Sequence, residues 1–171
     1  LRSSELSLIE KLPNAKGNLI PAGITYQRDQ SLASVLLLKG RGGTGKSTFA
    51  YQLERLLWSR LGRGGYLPLF VPLNGVRRVS RDLVSNHLQS MGLSKDQAED
   101  LRQQLSTEDK DQRFRFLFLF DGYDEISVSP NLWQEARLDR WWGAKMLVTC
   151  RPSKLGGGSG YLKYFSVSAK D

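Results

Sequence analysis

Eight consecutive residues, Gly40–Ser47, have the types and spacing needed to surround an anion. They read Gly-Arg-Gly-Gly-Thr-Gly-Lys-Ser, which matches the pattern G-x-x-x-x-G-K-[ST] in full. The glycines permit left-handed backbone that turns successive N–H groups inward, the Lys46 ammonium can reach the β- and γ-phosphates, and the Ser47 hydroxyl can ligate Mg²⁺. We therefore predict a nucleoside-triphosphate site formed by Gly40, Arg41, Gly42, Gly43, Thr44, Gly45, Lys46, Ser47 and Thr48.

A second group of candidate residues follows the apolar run Phe116–Phe120, where the sequence continues as Asp-Gly-Tyr-Asp-Glu. An acid at the C-terminal end of a buried strand lies where ligands bind in open α/β sheets. Asp121 is therefore placed to hold Mg²⁺ opposite Ser47. Glu125 could orient or deprotonate an attacking water, and Asp124 could assist it or help hold the metal. The alternative is that Asp124 and Glu125 only begin a solvated loop.

The third candidate is Arg151, which follows another apolar run that ends in a polar residue and precedes Pro152. An arginine at a strand end can touch the γ-phosphate and so distinguish a triphosphate from a diphosphate. The alternative is an ordinary surface arginine. With Glu125 and Asp124, Arg151 completes the predicted catalytic set for in-line attack of water on the γ-phosphate.

These groups must be positioned by strands and helices that alternate along the chain. Short apolar runs predict strands over Val35–Lys39, Tyr66–Leu73, Phe114–Phe120, Lys145–Cys150 and Tyr161–Val167. Helical spacing predicts helices over Ser4–Lys11, Lys46–Leu61, Ser80–Met91, Ser94–Leu105 and Asn131–Trp142, with Ser94 as an N-cap. The alternation predicts a three-layer α/β fold, a mostly parallel five-stranded sheet with helices on both faces.

Two of the predicted strands can also be assigned a place in the sheet. Pro68 and Pro72 cannot donate to a strand ladder, which favours an edge position for Tyr66–Leu73. The near-continuous apolar content of Phe114–Phe120 is typical of a central strand that is buried on both faces.

The composition is that of an ordinary globular chain with an excess of positive charge. Its 171 residues are enough for one compact domain. The 25 basic residues outnumber the 17 acidic ones, for a formal net charge of +8. They are scattered, without a recurring basic and aromatic pattern, so nucleic-acid binding is disfavoured. The excess charge suits a protein that holds a polyphosphate.

The sequence also carries signals about compartment and boundaries. The single cysteine, Cys150, excludes an internal disulfide framework and favours a cytoplasmic protein. No secretory signal is visible, and no apolar run is long enough to span a bilayer, so we expect no membrane partner. Because the chain begins at Leu1, we expect a segment of a longer protein. Residues 1–34 would be an approach segment, and residues 35–171 the nucleotide-binding domain.

Three blocks together resemble the NACHT family of the STAND class of P-loop NTPases, the class that includes NOD-like receptors. They are the Gly40–Ser47 loop, Asp-Gly-Tyr-Asp-Glu at 121–125 and Thr-Cys-Arg-Pro at 149–152, and the small residue Gly122 is the most distinctive element. The closing segment Phe165–Asp171 also resembles the end of a NACHT core. The resemblance spans residues 33–171.

The resemblance implies a role for each candidate residue. Lys46 and Ser47 would bind phosphate and Mg²⁺, Asp121 would hold the metal, Asp124 and Glu125 would serve hydrolysis, and Arg151 would sense the nucleotide. It also implies the strand order 2-3-4-1-5, numbered along the five predicted strands. Self-association coupled to the nucleotide state is a further implication, with effector and sensor modules outside this segment.

On these grounds the sequence predicts a slow, regulatory ATPase that uses ATP or ADP with Mg²⁺ in a signalling switch. No N-K-x-D guanine signature occurs in the sequence, which favours adenine as the base. Three alternatives remain. One is a small-molecule or nucleotide kinase, which would need an acceptor pocket. Another is a non-catalytic scaffold that a bound nucleotide stabilises. The third is an ATPase stimulated by nucleic acid, which steeply salt-dependent binding to DNA or RNA would support.

Overall fold

The computed structural model describes residues 25–27, 34–62, 65–103 and 113–155. Its strands are β1 Thr25–Gln27, β2 Val35–Lys39, β3 Tyr66–Pro72, β4 Arg115–Asp121 and β5 Lys145–Cys150. Its α-helices are α1 Lys46–Ser59, α2 Leu83–Ser90, α3 Lys95–Gln103, α4 Leu132–Glu135 and α5 Pro152–Leu155. Two 3₁₀ turns cover Tyr123–Glu125 and Leu138–Arg140. None of the helices in these ranges is long and apolar enough to cross a membrane.

The strands form one sheet in the order β1-β2-β5-β4-β3. The four strands β2, β5, β4 and β3 are parallel. Their order confirms 2-3-4-1 of the order implied by the family resemblance, whereas the place of the fifth predicted strand is not tested. The alternation of strands with connecting helices explains the parallel arrangement, because each crossover returns the chain to the same end of the sheet.

Four of the five predicted strands form the parallel part of the described sheet, namely β2, β3, β4 and β5. The remaining described strand is β1, which pairs antiparallel with β2. It lies within residues 1–34, the segment that the sequence predicts to precede the nucleotide-binding domain. Three residues are too few to carry a periodic apolar signal, so sequence pattern could not reveal this strand. The predicted fifth strand, Tyr161–Val167, and the predicted helix Ser4–Lys11 lie outside the described residues.

The sheet is buried on both faces, which explains why its central strands are continuously apolar. Along β4, Phe116, Phe118 and Phe120 pack into one core cluster with residues of α2, α3 and α4. The alternate residues Leu117 and Leu119 pack into a second cluster with α1. Successive side chains of a strand point to opposite faces, so both faces need apolar residues. This arrangement confirms three layers and the central place of β4.

The free edge of β3 offers almost no hydrogen-bond donors, as the two prolines predicted. The Leu73 N–H donates to the Asp121 carbonyl of β4 at 2.9 Å. The backbone N–H and C=O groups of odd-numbered β3 residues therefore point toward β4, and those of even-numbered residues point toward the free edge. Of the outward residues, Pro68 and Pro72 carry no N–H, and the Phe70 N–H donates to the Glu54 carboxylate of α1 at 3.0 Å. An edge with so few free donors resists pairing with another strand.

Three predicted helices differ from the structure at their ends. Helix α1 ends at Ser59 rather than at Leu61. Helix α2 begins at Leu83 rather than at Ser80. The predicted helix Asn131–Trp142 ends at Glu135, because Arg137 adopts left-handed backbone with φ 50° before a 3₁₀ turn. By contrast, the predicted cap of α3 is confirmed. The Ser94 hydroxyl accepts from the Gln97 N–H at 3.1 Å, and the Gln97 side chain accepts from the Ser94 N–H at 2.8 Å.

Candidate functional site

The Gly40–Ser47 loop connects the end of β2 to the start of α1. Gly43 and Gly45 have φ of 75° and 85°, the left-handed region that glycine adopts without strain. The Gly40 N–H donates to the Cys150 carbonyl at 3.3 Å, which ties the loop to the end of β5. Helix α1 begins at Lys46, so its N-terminal partial positive charge lies at the loop. The loop therefore has the shape and polarity of a phosphate-binding turn.

Lys46 is a buried cation, with 9% of its surface exposed. Its ammonium donates to the carbonyls of Gly40 at 2.8 Å and of Arg41 at 3.0 Å. It forms no ion pair with any carboxylate among the described residues. Burying a charge is costly unless a counter-charge accompanies it. An anion placed in the loop would supply that counter-charge, so the site favours a phosphate.

Thr149 links the predicted metal ligand to the neighbouring strand. It lies near the end of β5, is 1% exposed, and donates its hydroxyl to the Asp121 carboxylate at 2.6 Å. The same hydroxyl accepts the Gly122 N–H at 2.9 Å. Thr149 therefore sets the orientation of Asp121. The sequence motifs give Thr149 no separate role, although a polar residue at the end of an apolar strand is a signal of a site residue.

Asp124 and Arg151 form the second link between β4 and β5. One Asp124 oxygen accepts the Arg151 backbone N–H at 2.9 Å, and the other lies 3.0 Å from the guanidinium nitrogen Nε. The Asp124 side chain is 12% exposed, whereas that of Arg151 is 55% exposed. The guanidinium also lies about 3.9 Å from the point that a Cβ on Gly42 would occupy. Arg151 is thus held over the phosphate-binding loop by Asp124.

These residues surround one cavity of about 260 Å³. It is lined by Gly42, Gly43, Gly45, Lys46, Ser47, Thr48, Gly122, Asp124, Glu125, Thr149 and Arg151. The structure therefore brings most of the sequence-predicted site residues together. Gly40, Arg41, Thr44 and Asp121 do not line the cavity. Asp121 is linked to the cavity through Thr149, whose hydroxyl donates a hydrogen bond to one Asp121 carboxylate oxygen.

Glu125 is the exposed acid of the cavity. It lies in the 3₁₀ turn Tyr123–Glu125, and its carboxyl carbon is 3.3 Å from the position of a Cβ on Gly122. Gly122 has φ 82°, so two constraints favour glycine here, left-handed backbone and contact with Glu125. This explains in physical terms why a small residue follows Asp121.

The residues present fit a Mg²⁺ ion that binds together with a nucleotide. The described residues contain no group of three or more His, Cys, Asp or Glu side chains that could hold a metal. Mg²⁺ at phosphate sites commonly takes only one or two protein oxygens and completes its shell with phosphate oxygens and water. The Ser47 hydroxyl and the Asp121 carboxylate are oxygen ligands of this kind.

Cys150 adjoins the site but is not suited to react. It is fully buried, and burial, reinforced by the nearby Asp124 carboxylate, raises the pKa of its thiol to about 12. A thiol rather than a thiolate is therefore present at neutral pH, and only the thiolate is a nucleophile.

One family comparison bears on this site. A family model described as the NACHT domain matches residues 34–165. The match includes the phosphate-binding loop, the acidic end of β4 and Arg151. No curated protein matches the chain.

Proposed function

This chain belongs to the NACHT domain family, whose members are P-loop NTPase modules that bind nucleotides, and we propose that it binds ATP with Mg²⁺ and hydrolyses the ATP slowly. The observation that carries the proposal is the single cavity in which Lys46 and Ser47 face Glu125 and Arg151. These groups come from α1, the turn after β4 and the end of β5. Their convergence supplies a cation for phosphate, an acid for water and an arginine for the γ-phosphate.

The phosphates of ATP bind in the Gly40–Ser47 loop. Lys46 exchanges its contacts with the carbonyls of Gly40 and Arg41 for phosphate oxygens, and so gains the counter-charge that it lacks. Ser47 and Asp121 hold Mg²⁺, which when bound neutralises phosphate charge. Thr149 acts as a positioning residue because its hydroxyl occupies one Asp121 oxygen and leaves the other for the metal or its water. The missing guanine signature supports adenine as the base.

Glu125 is the candidate that orients or deprotonates the attacking water. Both oxygens of Asp124 are engaged by Arg151, so Asp124 is the poorer base. We assign Asp124 instead to the positioning of Arg151. A general base must have a free oxygen within hydrogen-bond reach of the water, and an exposed carboxylate on the cavity wall meets that requirement better.

The Arg151–Asp124 pair supports a role in switching between nucleotide states. A γ-phosphate would compete with Asp124 for the guanidinium, because arginine binds phosphate through charge-assisted hydrogen bonds. ATP and ADP would then leave Arg151 in different positions. We propose that this difference is read by modules outside the segment and is coupled to self-association in the cytoplasm, as in a STAND-type switch.

The experiment compares binding with turnover in matched variants. ATP binding is measured by calorimetry, and phosphate release in a single turnover is measured without any added acceptor. Glu125→Gln keeps the shape of the side chain, so it should retain binding and slow hydrolysis by about 10²–10⁴-fold. The control Asp124→Asn should change the preference for ATP over ADP more than it changes hydrolysis of bound ATP.

The outcomes separate the alternatives. Tight binding without any phosphate release would identify a nucleotide-stabilised scaffold. Release that requires an added acceptor would identify a kinase. Wild-type turnover in Glu125→Gln would refute the assignment of the base.

A further inference from the structure

A second cavity, of about 200 Å³, is surrounded by four arginines. Arg81, Arg102, Arg137 and Arg140 line it, and none of its lining residues lines the nucleotide cavity. Ser85 and Trp141 also line it, together with the acids Asp82 and Glu99. It lies on the outer helical layer, at the start of α2, on α3 and around the turn after α4. We refer to it as the arginine cavity.

The arginines converge from separate elements, which distinguishes the cavity from an ordinary solvated helix face. Arg81 precedes α2, and Arg102 lies in the last turn of α3. Arg137 directly precedes the 3₁₀ turn Leu138–Arg140, and Arg140 is the last residue of that turn. Arg102 is the least exposed of those that form ion pairs, with a side chain 20% exposed. A long cationic side chain that points into a concave site loses water, and its interaction with an anion becomes stronger than on an open surface.

The carboxylates near the cavity do not balance its charge. Arg102 pairs with Glu99, and Arg137 pairs with Asp139 at 3.2 Å. The Arg81–Asp82 pair is long, at 3.8 Å, and both side chains are mostly exposed. The Arg140 guanidinium forms no ion pair or hydrogen bond with a described residue, and only its backbone N–H is bonded, to the Arg137 carbonyl at 3.1 Å. Three carboxylates therefore accompany four guanidinium groups, and only two of them line the cavity, so one positive charge remains in excess.

The Glu99 carboxylate is held ionised mainly by direct hydrogen bonds, with a smaller contribution from the charges of nearby arginines. Its pKa is lowered, first by the hydrogen bond from Arg102, then by one from Gln103, and further by the charges of Arg102 and Arg140. Arg140 thus acts on a carboxylate with which it makes no direct contact. The positive charge of these arginines stabilises any anion that enters the site.

The backbone conformation of Arg137 also supports a functional role for the arginine cavity. Among the described residues it is the one non-glycine residue with positive φ, at 50°. It follows the short helix α4, a position at which glycine is usual because it adopts left-handed backbone without strain. The chain places arginine there and accepts the strain. Strained residues concentrate at functional sites, so the strain at Arg137 supports the interpretation of the arginine cavity as a binding site.

We propose that the arginine cavity binds a small polyphosphate anion, at a site separate from the nucleotide cavity. Guanidinium groups bind phosphate oxygens through paired hydrogen bonds. Arginines that approach from several directions suit the tetrahedral oxygens of phosphate better than the planar pair of a carboxylate. The limited volume admits a small anion rather than a stretch of polymer. A ligand here would tie α2, α3 and the segment after α4 together.

The test uses inorganic pyrophosphate and blocks the first site by mutation. Calorimetric titration is carried out on Lys46→Ala, in which the phosphate-binding loop has lost its buried cation. The same titration is then carried out on the double variant that also carries Arg140→Gln, a substitution that removes a charge without breaking an ion pair among the described residues. The matched control adds Arg78→Gln, an exposed arginine that lines neither cavity. We expect saturable binding that weakens about tenfold with Arg140→Gln and is unchanged with Arg78→Gln.

A second measurement does not depend on Lys46→Ala. In the unmutated chain, the indole N–H resonance of Trp141 should shift on addition of pyrophosphate, whereas that of Trp58, on α1, should shift less. A titration with ADP distinguishes free polyphosphate from a nucleotide as the source of the phosphate groups. Absence of saturable binding in Lys46→Ala, equal weakening by both arginine substitutions, or an unshifted Trp141 signal would overturn the proposal.

Discussion

Replacing Thr149 with valine removes one hydroxyl that serves two partners at the end of β4. Valine has nearly the shape of threonine, so packing at this buried position is preserved. The substitution deletes the hydrogen bond to the Asp121 carboxylate, at 2.6 Å, and leaves the Gly122 N–H without the acceptor it had at 2.9 Å. The perturbation is therefore confined to the tie between β4 and β5.

The size of the effect follows from these two contacts. A hydrogen bond to a charged group contributes about 1.5–3 kcal/mol, and a buried N–H left without an acceptor costs about 1–3 kcal/mol. Because Gly122 is only partly buried, water can recover some of the second cost. We expect Thr149→Val to lower the free energy of unfolding by about 2–4 kcal/mol.

The matched control is Thr149→Ser, which keeps the hydroxyl and loses one buried methyl group. Its cost should be about 0.5–1.5 kcal/mol, the range for deletion of a single buried methyl. Urea denaturation monitored by tryptophan fluorescence compares the variants. The Mg²⁺ concentration needed for half-maximal nucleotide binding should rise in the valine variant and stay near wild type in the serine variant. A valine variant as stable as the serine variant, with unchanged Mg²⁺ dependence, would refute the positioning role.

Four further predictions follow from single contacts. Lys46→Ala should abolish measurable nucleotide binding in calorimetry while the protein stays folded, because it removes the buried cation of the phosphate-binding loop. Wild-type affinity would contradict this. Gly122→Ala should cost about 1–2 kcal/mol in urea denaturation because φ is 82°, and should slow turnover by displacing Glu125. Glu54→Ala should cost about 1 kcal/mol and increase self-association in sedimentation, whereas Glu54→Gln keeps an acceptor for Phe70 and should not. The pKa of the Cys150 thiol is raised to about 12 in the folded protein, so the thiol loses its proton more readily in the unfolded chain. The free energy of unfolding should therefore fall as the pH rises from the ordinary thiol range toward 12. Alkylation of Cys150 at pH 8 should require unfolding.

Much of the fold could be predicted from local patterns. Apolar runs located β2, β3, β4 and β5, and the prolines of β3 identified an edge strand. Where prediction failed, the deciding contact was not local. The three residues of β1 are a strand only because β2 offers a free edge. The helix predicted to begin at Asn131 stops early because Arg137 takes a left-handed conformation that its residue type does not favour.

The candidate site also has one part that local sequence determines and another that depends on the tertiary structure. The phosphate-binding loop is a contiguous sequence whose glycines and lysine act on one another within a single turn, so sequence alone determined it. The ties between Thr149 and Asp121 and between Arg151 and Asp124 span 28 and 27 residues. They exist because β5 lies beside β4 in the sheet, and strand order depends on how the connecting helices pack rather than on any local pattern. Only the tertiary structure could show that Asp124 holds an arginine and leaves Glu125 as the exposed acid.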